Sequence, residues 1–191
     1  MGKLEQEELL KCYLVFDTCT IRALENLKLL SKYLPRVNLR VGITKEAREE
    51  VKIKKIEDLI RRGFIDVLRP KNPAKHIADV RKIQRVMGTR KHLGEISSYV
   101  FVRNHSKAIL ISDDNFIKSL MRKFSIVPWF GFSFYLYSLF KRSKSTLQDC
   151  CDIFKKIIER QEWGDKVIFS NVAGMMEIDP EFGKKLMKSI E

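Results

Sequence analysis

Short apolar runs that are typical of buried strands alternate along this chain with segments whose apolar residues recur at helical spacing. The predicted strands are residues 13–17, 37–43, 64–68, 108–112 and 125–127. Because strands separated by helices are joined through crossovers, neighbouring strands run parallel and the helices cover the sheet. The sequence therefore predicts an α/β fold of three layers, with a central, mostly parallel sheet of about five strands between helices.

Capping and helix-breaking residues set the predicted helix ends. Thr44 has the side chain of a helix N-cap, while Gly63 and Gly88 each follow a helical run, as expected at carboxyl ends. We predict helices at residues 21–34, 44–62, 74–86, 93–102, 115–124, 132–139, 147–160 and 181–190, whereas residues 166–172 are compatible with a terminal strand. Residues 1–144 are the predicted main domain, and residues 145–191 are a helical extension packed on it.

The chain is strongly basic, with a net charge of +13. The positive charge is concentrated in residues 36–91, which contain 17 Lys or Arg against 7 Asp or Glu. A protein this basic generally binds a polyanion. Nucleic acid is the favoured partner, and a solubilising surface or contact with acidic lipid are the alternatives.

Cysteine usage and hydropathy exclude several classes of protein. The four cysteines form neither a CxxC pair nor a disulfide framework, which indicates a reducing, cytoplasmic environment. Cys19 is interpreted as a core residue. The polar amino terminus is not that of a signal peptide. No apolar run reaches the ~20 residues of a membrane span, and residues 126–140, the nearest candidate, are interpreted as a strand end followed by a core helix.

Two of the predicted strands end in aspartate. Asp17 lies at the carboxyl end of the first strand, and Asp113 and Asp114 follow the fourth. Sites in open parallel sheets form beyond the carboxyl ends of the strands. If these two strands are neighbours, their acids face the same cleft.

Two predicted helices add glutamates near their first turns, where exposed amides favour carboxylates. Glu95 begins the helix that leads into the fourth strand, and Glu46, Glu49 and Glu50 follow the second strand. Taken singly, such acids are helix caps or solvated surface residues. Gathered in one pocket, they could not all stay ionised without a cation, and a hard divalent metal is the simplest partner.

The acidic segments resemble, in constellation and order, those of the PIN domain, a family of small metal-dependent ribonucleases. The resemblance rests on FDTCTI, on the Glu-rich helix after the second strand, on LGEISSYVFVR and on LISDDNFI, and it covers roughly residues 11–140. Similar domains include VapC-type toxins and processing nucleases of ribosome maturation. The resemblance implies a Rossmann-like sheet and an endoribonuclease that cleaves RNA with a metal-activated water.

Carried across residue by residue, the family pattern implies a site with Mg²⁺ or Mn²⁺. The implied catalytic acids are Asp17, Glu50, Glu95 and Asp114, the metal ligands are Asp17, Glu95, Asp113 and Asp114, and the supporting hydrogen-bond partners are Thr18, Ser112 and Asn115. Helical spacing favours Glu50 as the second acid because Ala47 and Val51 lie on the buried side. Glu46, one turn earlier, remains the alternative. His92 lies close to Glu95 and is interpreted as a solvated surface residue.

RNA is the expected partner, held by basic side chains of residues 36–91. The predicted RNA-binding residues are Arg48, Lys52, Lys54, Lys55, Arg81, Lys82, Arg85, Arg90 and Lys91. The resemblance also suggests a homodimer and a small antitoxin protein as partners. The alternative function is a catalytically weak, PIN-like scaffold that binds RNA through its basic helices.

Overall fold

A five-stranded, all-parallel sheet forms the centre of the protein. The computed structural model describes residues 8–142, 146–160 and 164–190. The spatial order of the strands is β3-β2-β1-β4-β5, with every neighbouring pair parallel. The strands are β1 (Tyr13–Phe16), β2 (Val41–Thr44), β3 (Asp66–Leu68), β4 (Ala108–Ile111) and β5 (Trp129–Phe130). The predicted α/β class with a sheet of five strands is thus confirmed.

Helices connect the strands and continue beyond the sheet. From Thr18 onward the α-helices are α1 (Thr18–Asn26), α2 (Leu29–Tyr33), α3 (Lys45–Val51), α4 (Lys54–Arg61), α5 (Pro73–Met87), α6 (Leu93–Arg103), α7 (Asn115–Lys123), α8 (Phe132–Arg142), α9 (Leu147–Glu159), α10 (Asp165–Ile178) and α11 (Pro180–Met187). A short 3-10 helix, Leu34–Arg36, follows α2.

The sheet has a hydrophobic core on each face. Successive side chains of a strand point to opposite faces, so Leu14 and Phe16 pack in one core while Val15 packs in the other. Helices α1 to α4 and α8 to α11 contribute to the first core, and α5 to α7 contribute to the second. The predicted arrangement of three layers is therefore confirmed.

The prediction for the fifth strand is wrong in position. Within residues 125–127 only Val127 is buried, and Ile126 is 86% exposed. The chain joins the sheet at Pro128, whose carbonyl accepts a hydrogen bond from Leu110 N at 2.9 Å. The Phe130 carbonyl then accepts one from Ser112 N at 3.0 Å. The apolar run before the proline is a connection, and the strand comes after it.

Two predicted helices are each divided in two. The predicted helix at residues 44–62 breaks at Lys52, which is left-handed with φ 48°, and the one at residues 21–34 breaks at Lys28, with φ 57°. Thr44 caps α3 as predicted, since its hydroxyl accepts a hydrogen bond from Ala47 N at 3.3 Å. Leu24, Leu27 and Leu30 keep a three-residue interval across Lys28, which is why periodicity does not reveal that break. The buried residues on either side of Lys52, Val51 and Ile56, are five positions apart.

The carboxyl-terminal residues are helical and share the first core. Residues 166–172 belong to α10, in which Ile168, Val172 and Met175 are buried at helical spacing, so the strand interpretation is wrong. Side chains of α9 and α11 are buried in the same core. The predicted domain boundary at residues 144–145 lies outside the described residues.

Residues 126–140 enter the fold as β5 and as most of α8, whose residues Phe132–Leu139 are all buried. The described helices include none with both the length and the apolar character that a bilayer span requires.

Candidate active site

The acids that end β1 and β4 lie side by side. These strands are neighbours, and Phe16 is paired with Ile111 at their carboxyl ends. The next residue of one strand is Asp17, and the next residues of the other are Ser112 to Asp114. The predicted meeting of these two strand ends is therefore present in the structure.

Asp17 is fully buried and caps α1. Its Oδ1 accepts a hydrogen bond from Thr20 N at 2.7 Å, and its Oδ2 accepts one from the Ser112 hydroxyl. Burial raises the pKa of Asp17 to about 7, against the lowering effect of these two donors, and the negative charge of Glu95 raises it further. The protein alone therefore stabilises the ionised carboxylate poorly.

Ser112 joins the two strand ends through one hydroxyl. It donates to Asp17 and accepts a hydrogen bond from Asp114 N at 3.1 Å. Asp114 in turn caps α7, because its Oδ1 accepts a hydrogen bond from Phe116 N at 2.7 Å. Ser112 is thus a hydrogen-bond partner of both strand-end acids, as the sequence suggested.

Glu95 reaches the same place from the first turn of α6 and is only 3% exposed. Burial raises the pKa of Glu95, and the charges of Glu50 and Asp114 raise it further. Its Oε2 is buried and has no hydrogen-bond partner among the described residues. The ring of His92 lies next to it, with Nδ1 3.9 Å from Oε2.

Cys19 lies between Glu95 and Asp114, contrary to its interpretation as a core residue. Its side chain is exposed, and Sγ lies 3.5 Å from Glu95 Oε1 and 3.7 Å from Asp114 Oδ2. Burial of its sulfur raises the pKa of the thiol, and Asp17, Glu95 and Asp114 raise it further. One ligand atom from each of Cys19, Glu95 and Asp114 lies within 4.8 Å of the others. We refer to these three residues with Asp17 and Glu50 as the acidic cluster.

Glu50 belongs to the acidic cluster and comes from the last turn of α3. Its Oε2 accepts a hydrogen bond from Thr18 Oγ1 at 2.8 Å, and its Oε1 accepts one from Gly94 N at 3.1 Å. A Cβ atom at Gly94 would lie 2.2 Å from Thr18 Oγ1 and 2.9 Å from the Cα of Ala47. The glycine before Glu95 is therefore required for α6 to approach α3 this closely.

Glu46, the alternative second acid, belongs to a different network. Its Oε2 accepts a hydrogen bond from the Ser97 hydroxyl at 2.7 Å, and the same hydroxyl lies 3.0 Å from Nε2 of the buried His76. Because the serine proton is donated to Glu46, His76 Nε2 is the donor to Ser97. The structure therefore places Glu50, rather than Glu46, beside Glu95.

Asp113 does not join the acidic cluster, although the family pattern implied it as a metal ligand. Its Oδ1 accepts a hydrogen bond from Asn171 Nδ2 at 2.7 Å, and its Oδ2 accepts one from Phe132 N at 3.0 Å. Burial raises the pKa of Asp113 to about 6, against the lowering effect of these donors. Asp113 thus connects the β4 end to α8 and α10, and the metal-ligand prediction does not fit its position.

Asn115 also departs from its expected supporting role. It begins α7 with an exposed side chain, which makes no hydrogen bond to the cluster acids among the described residues. Thr18, by contrast, occupies the predicted position through its bond to Glu50.

Arg22 and His92 also border the cluster, although neither is among the predicted site residues. The guanidinium of Arg22 donates to the backbone carbonyl of Glu50, and it lies one helical turn after Thr18, a spacing that could have indicated it. His92 is left-handed with φ 60° and stacks on Phe116 with ring centroids 4.2 Å apart. His92 is partly exposed, but it borders the site rather than lying on an unrelated surface.

The predicted RNA-binding side chains are exposed, except for that of Arg48, which is partly buried. The guanidinium of Arg48 forms a two-point ion pair with Glu57, with Nε 2.8 Å from Oε1 and Nη2 2.5 Å from Oε2. Arg81, Arg85 and Arg90 share one surface pocket at the end of α5. The other exposed members are Lys52, Lys54, Lys55, Lys82 and Lys91.

No protein-family model, no curated protein and no solved structure matches this chain.

Proposed function

We propose that this chain is a metal-dependent endoribonuclease with the site plan of a PIN domain. The observation that carries the proposal is the environment of Glu95. Its carboxylate is buried beside the negative charges of Glu50 and Asp114, and Oε2 lacks a hydrogen-bond partner among the described residues. A carboxylate in this setting is stabilised when a cation binds next to it.

The donor set of the cluster fits a hard divalent ion. Glu95 and Asp114, whose oxygens lie within 4.8 Å of each other, would hold Mg²⁺ or Mn²⁺ directly, because such ions prefer carboxylate oxygens. Asp17, which is not part of that close group, would add its negative charge from the end of β1. When bound, the ion supplies Lewis-acid activation of a water and offsets negative charge at the phosphate.

The surrounding side chains keep the acids in fixed positions. The single hydroxyl of Ser112 accepts from the backbone of Asp114 and donates to Asp17, so the two strand ends cannot separate without breaking the bond to Asp17. Thr18 and the amide of Gly94 orient the Glu50 carboxylate. Such bonds reduce the reorganisation that ligands undergo on binding a cation.

The exposed basic residues would bind the RNA backbone. Arg81, Arg85 and Arg90 lie around one pocket and can meet successive phosphates. Binding through phosphates releases counterions, so the affinity should fall steeply with salt. Specificity would come from RNA shape or single-stranded loops, because sequence-specific recognition of RNA mostly targets unpaired bases.

The test is RNA cleavage by the doubly substituted Asp17→Asn, Asp114→Asn chain, on structured and unstructured RNA with Mn²⁺. Loss of several kcal/mol of charge stabilisation predicts a fall of about 100-fold or more. The matched control is Glu49→Gln, which changes an exposed carboxylate of α3 that pairs with Lys45 and should cleave at a rate close to the parent. Equal rates for the double variant and the parent would contradict the proposal.

A further inference from the structure

Cys19 is the one feature of the acidic cluster that a hard metal does not explain. Cys19 is an exposed residue, yet its sulfur lies within 4 Å of two carboxylates, at 3.5 Å from Glu95 Oε1 and 3.7 Å from Asp114 Oδ2. Mg²⁺ and Mn²⁺ prefer oxygen ligands, whereas thiolates select softer ions such as Zn²⁺. The sulfur therefore gives the cluster a second preference among metals.

The two sulfur–oxygen distances of the cluster match those expected at a tetrahedral zinc centre. With Zn–S of about 2.3 Å and Zn–O of about 2.1 Å, a sulfur and an oxygen on one tetrahedron lie about 3.6 Å apart. The two observed sulfur–oxygen distances, 3.5 and 3.7 Å, bracket that value. The unpartnered Oε2 of Glu95, a residue that is 97% buried, is an independent sign that the cluster lacks a ligand.

We propose that Cys19, Glu95 and Asp114 form a three-ligand site for Zn²⁺, with the fourth position open to solvent. Zinc and the hard cation then compete for the cluster, because both require the oxygens of Glu95 and Asp114. The metal-binding part of this inference stands on the geometry alone. Its consequence, inhibition of RNA cleavage by Zn²⁺, rests on the proposed function.

The binding step is balanced without an oxidant or reductant. Zn²⁺ forms one bond to sulfur and one to each carboxylate, and the thiol proton passes to solvent because the thiolate is the ligand. Access is direct, since Cys19 is exposed while Cys150 and Cys151 lie on the buried side of α9.

The direct test is titration of the metal-free protein with Cd²⁺, whose bond to a thiolate gives an ultraviolet charge-transfer band. The parent chain and Cys12→Ser should develop the band with the same stoichiometry, and Cys19→Ser should not. Cys12 is the matched control because it is a partly exposed thiol outside the cluster. A band of equal strength in Cys19→Ser would overturn the proposal.

A second measurement addresses zinc itself. In competition with a chromophoric chelator, Cys19→Ser should bind Zn²⁺ about 10- to 100-fold more weakly than the parent, since loss of a direct ligand costs at least as much as loss of a supporting one. Thermal melting of both variants without metal checks that they are folded. Equal zinc affinities in folded proteins would contradict the assignment of Cys19 as a ligand.

The two proposals fail in distinguishable ways. If RNA is not cleaved with Mn²⁺ but the cadmium band depends on Cys19, the endoribonuclease proposal is wrong and the zinc site stands. If RNA is cleaved, the Zn²⁺ concentration that halves each protein's own rate should be about 10- to 100-fold higher for Cys19→Ser than for the parent. An equal half-inhibitory Zn²⁺ concentration for both proteins would show that Cys19 does not bind the inhibiting zinc.

Discussion

Asp113 and Asp114 are adjacent in the chain, and their side chains enter different parts of the molecule. Both oxygens of Asp113 accept hydrogen bonds from α8 and α10, through Phe132 N and Asn171 Nδ2. Asp114 uses one oxygen to cap α7 and presents the other beside Cys19 and Glu95. The Asp113 carboxylate therefore has a hydrogen-bond donor on each oxygen. The Asp114 carboxylate instead adds negative charge to a cluster in which Glu95 Oε2 has no hydrogen-bond partner among the described residues.

Glu46 and Glu50, which lie one turn apart on α3, both accept hydrogen bonds but from different partners. Glu46 is bound by Ser97 in a network that includes the buried His76, whereas Glu50 borders Glu95. In each pair, one acid fastens the helices that carry the site and the other belongs to the site. Residue type is the same within each pair, so the surrounding donors make the difference.

The largest effect that sharpens this comparison is expected on RNA cleavage. Glu50→Gln removes a charge beside Glu95 and should lower the Mn²⁺-dependent rate by about 10- to 100-fold. Glu46→Gln keeps an oxygen that can accept from Ser97 and should change the rate little. Initial rates on one RNA at equal protein concentration are the measurement. A greater loss for Glu46→Gln than for Glu50→Gln would reverse the assignment of the second acid.

A stability effect of intermediate size is expected at Gly94. Gly94→Ala places a Cβ against Thr18 and Ala47 and should lower the free energy of unfolding by about 1–3 kcal/mol, as for other overpacked positions. Gly174→Ala, in α10, meets nothing within 4 Å and should raise stability by about 0.5–1 kcal/mol. Urea unfolding of both variants is the check. Two variants of equal stability would show that α6 does not need this close approach.

The smallest expected effect concerns pH and the Glu46 network. Burial lowers the pKa of His76 from its ordinary value of 6.5, so the unfolded chain binds a proton at a higher pH than the folded chain does. The contribution of neutral His76 to the free energy of unfolding is fully present above pH 6.5 and is lost as pH falls from about 6.5 through the lower folded pKa. His76→Gln should weaken this loss in urea melts at pH 7.5 and pH 5.5. An unchanged difference between the two pH values would assign the loss to other groups.

The fold was predictable where buried strands have a continuous apolar run. The apolar run of β1 ends at Asp17 and that of β4 ends at Ser112. The parallel alternation of elements then brings the two ends together. The same reasoning could not place β5, because an apolar run and a proline together do not show on which side of the proline the sheet begins. The helix break at Lys28 is hidden because apolar residues keep a helical interval across it, whereas the interval of five residues from Val51 to Ile56 coincides with the break at Lys52.

The spacing of acidic residues along the chain does not predict which of their side chains point into the acidic cluster. Asp113 is directed away from the cluster by Asn171, which lies 58 positions later in the chain. Cys19 was interpreted as core because no histidine accompanies it in the sequence. Its actual neighbours, Glu95 and Asp114, come from α6 and from the end of β4. Such contacts are set by tertiary packing, which local patterns do not contain.

The central claim is that the acidic cluster binds a divalent cation, and the most direct measurement is a Mn²⁺ titration followed by electron paramagnetic resonance of the free ion. We predict saturable binding to the parent chain and to Glu49→Gln, whose exposed carboxylate lies on the same helix as Glu50 and pairs with Lys45 at 3.7 Å. We predict that Glu95→Gln loses this binding, with thermal melting used to check that the variant is folded. If Glu95→Gln binds Mn²⁺ as the parent does, or if the parent binds none, the account is wrong.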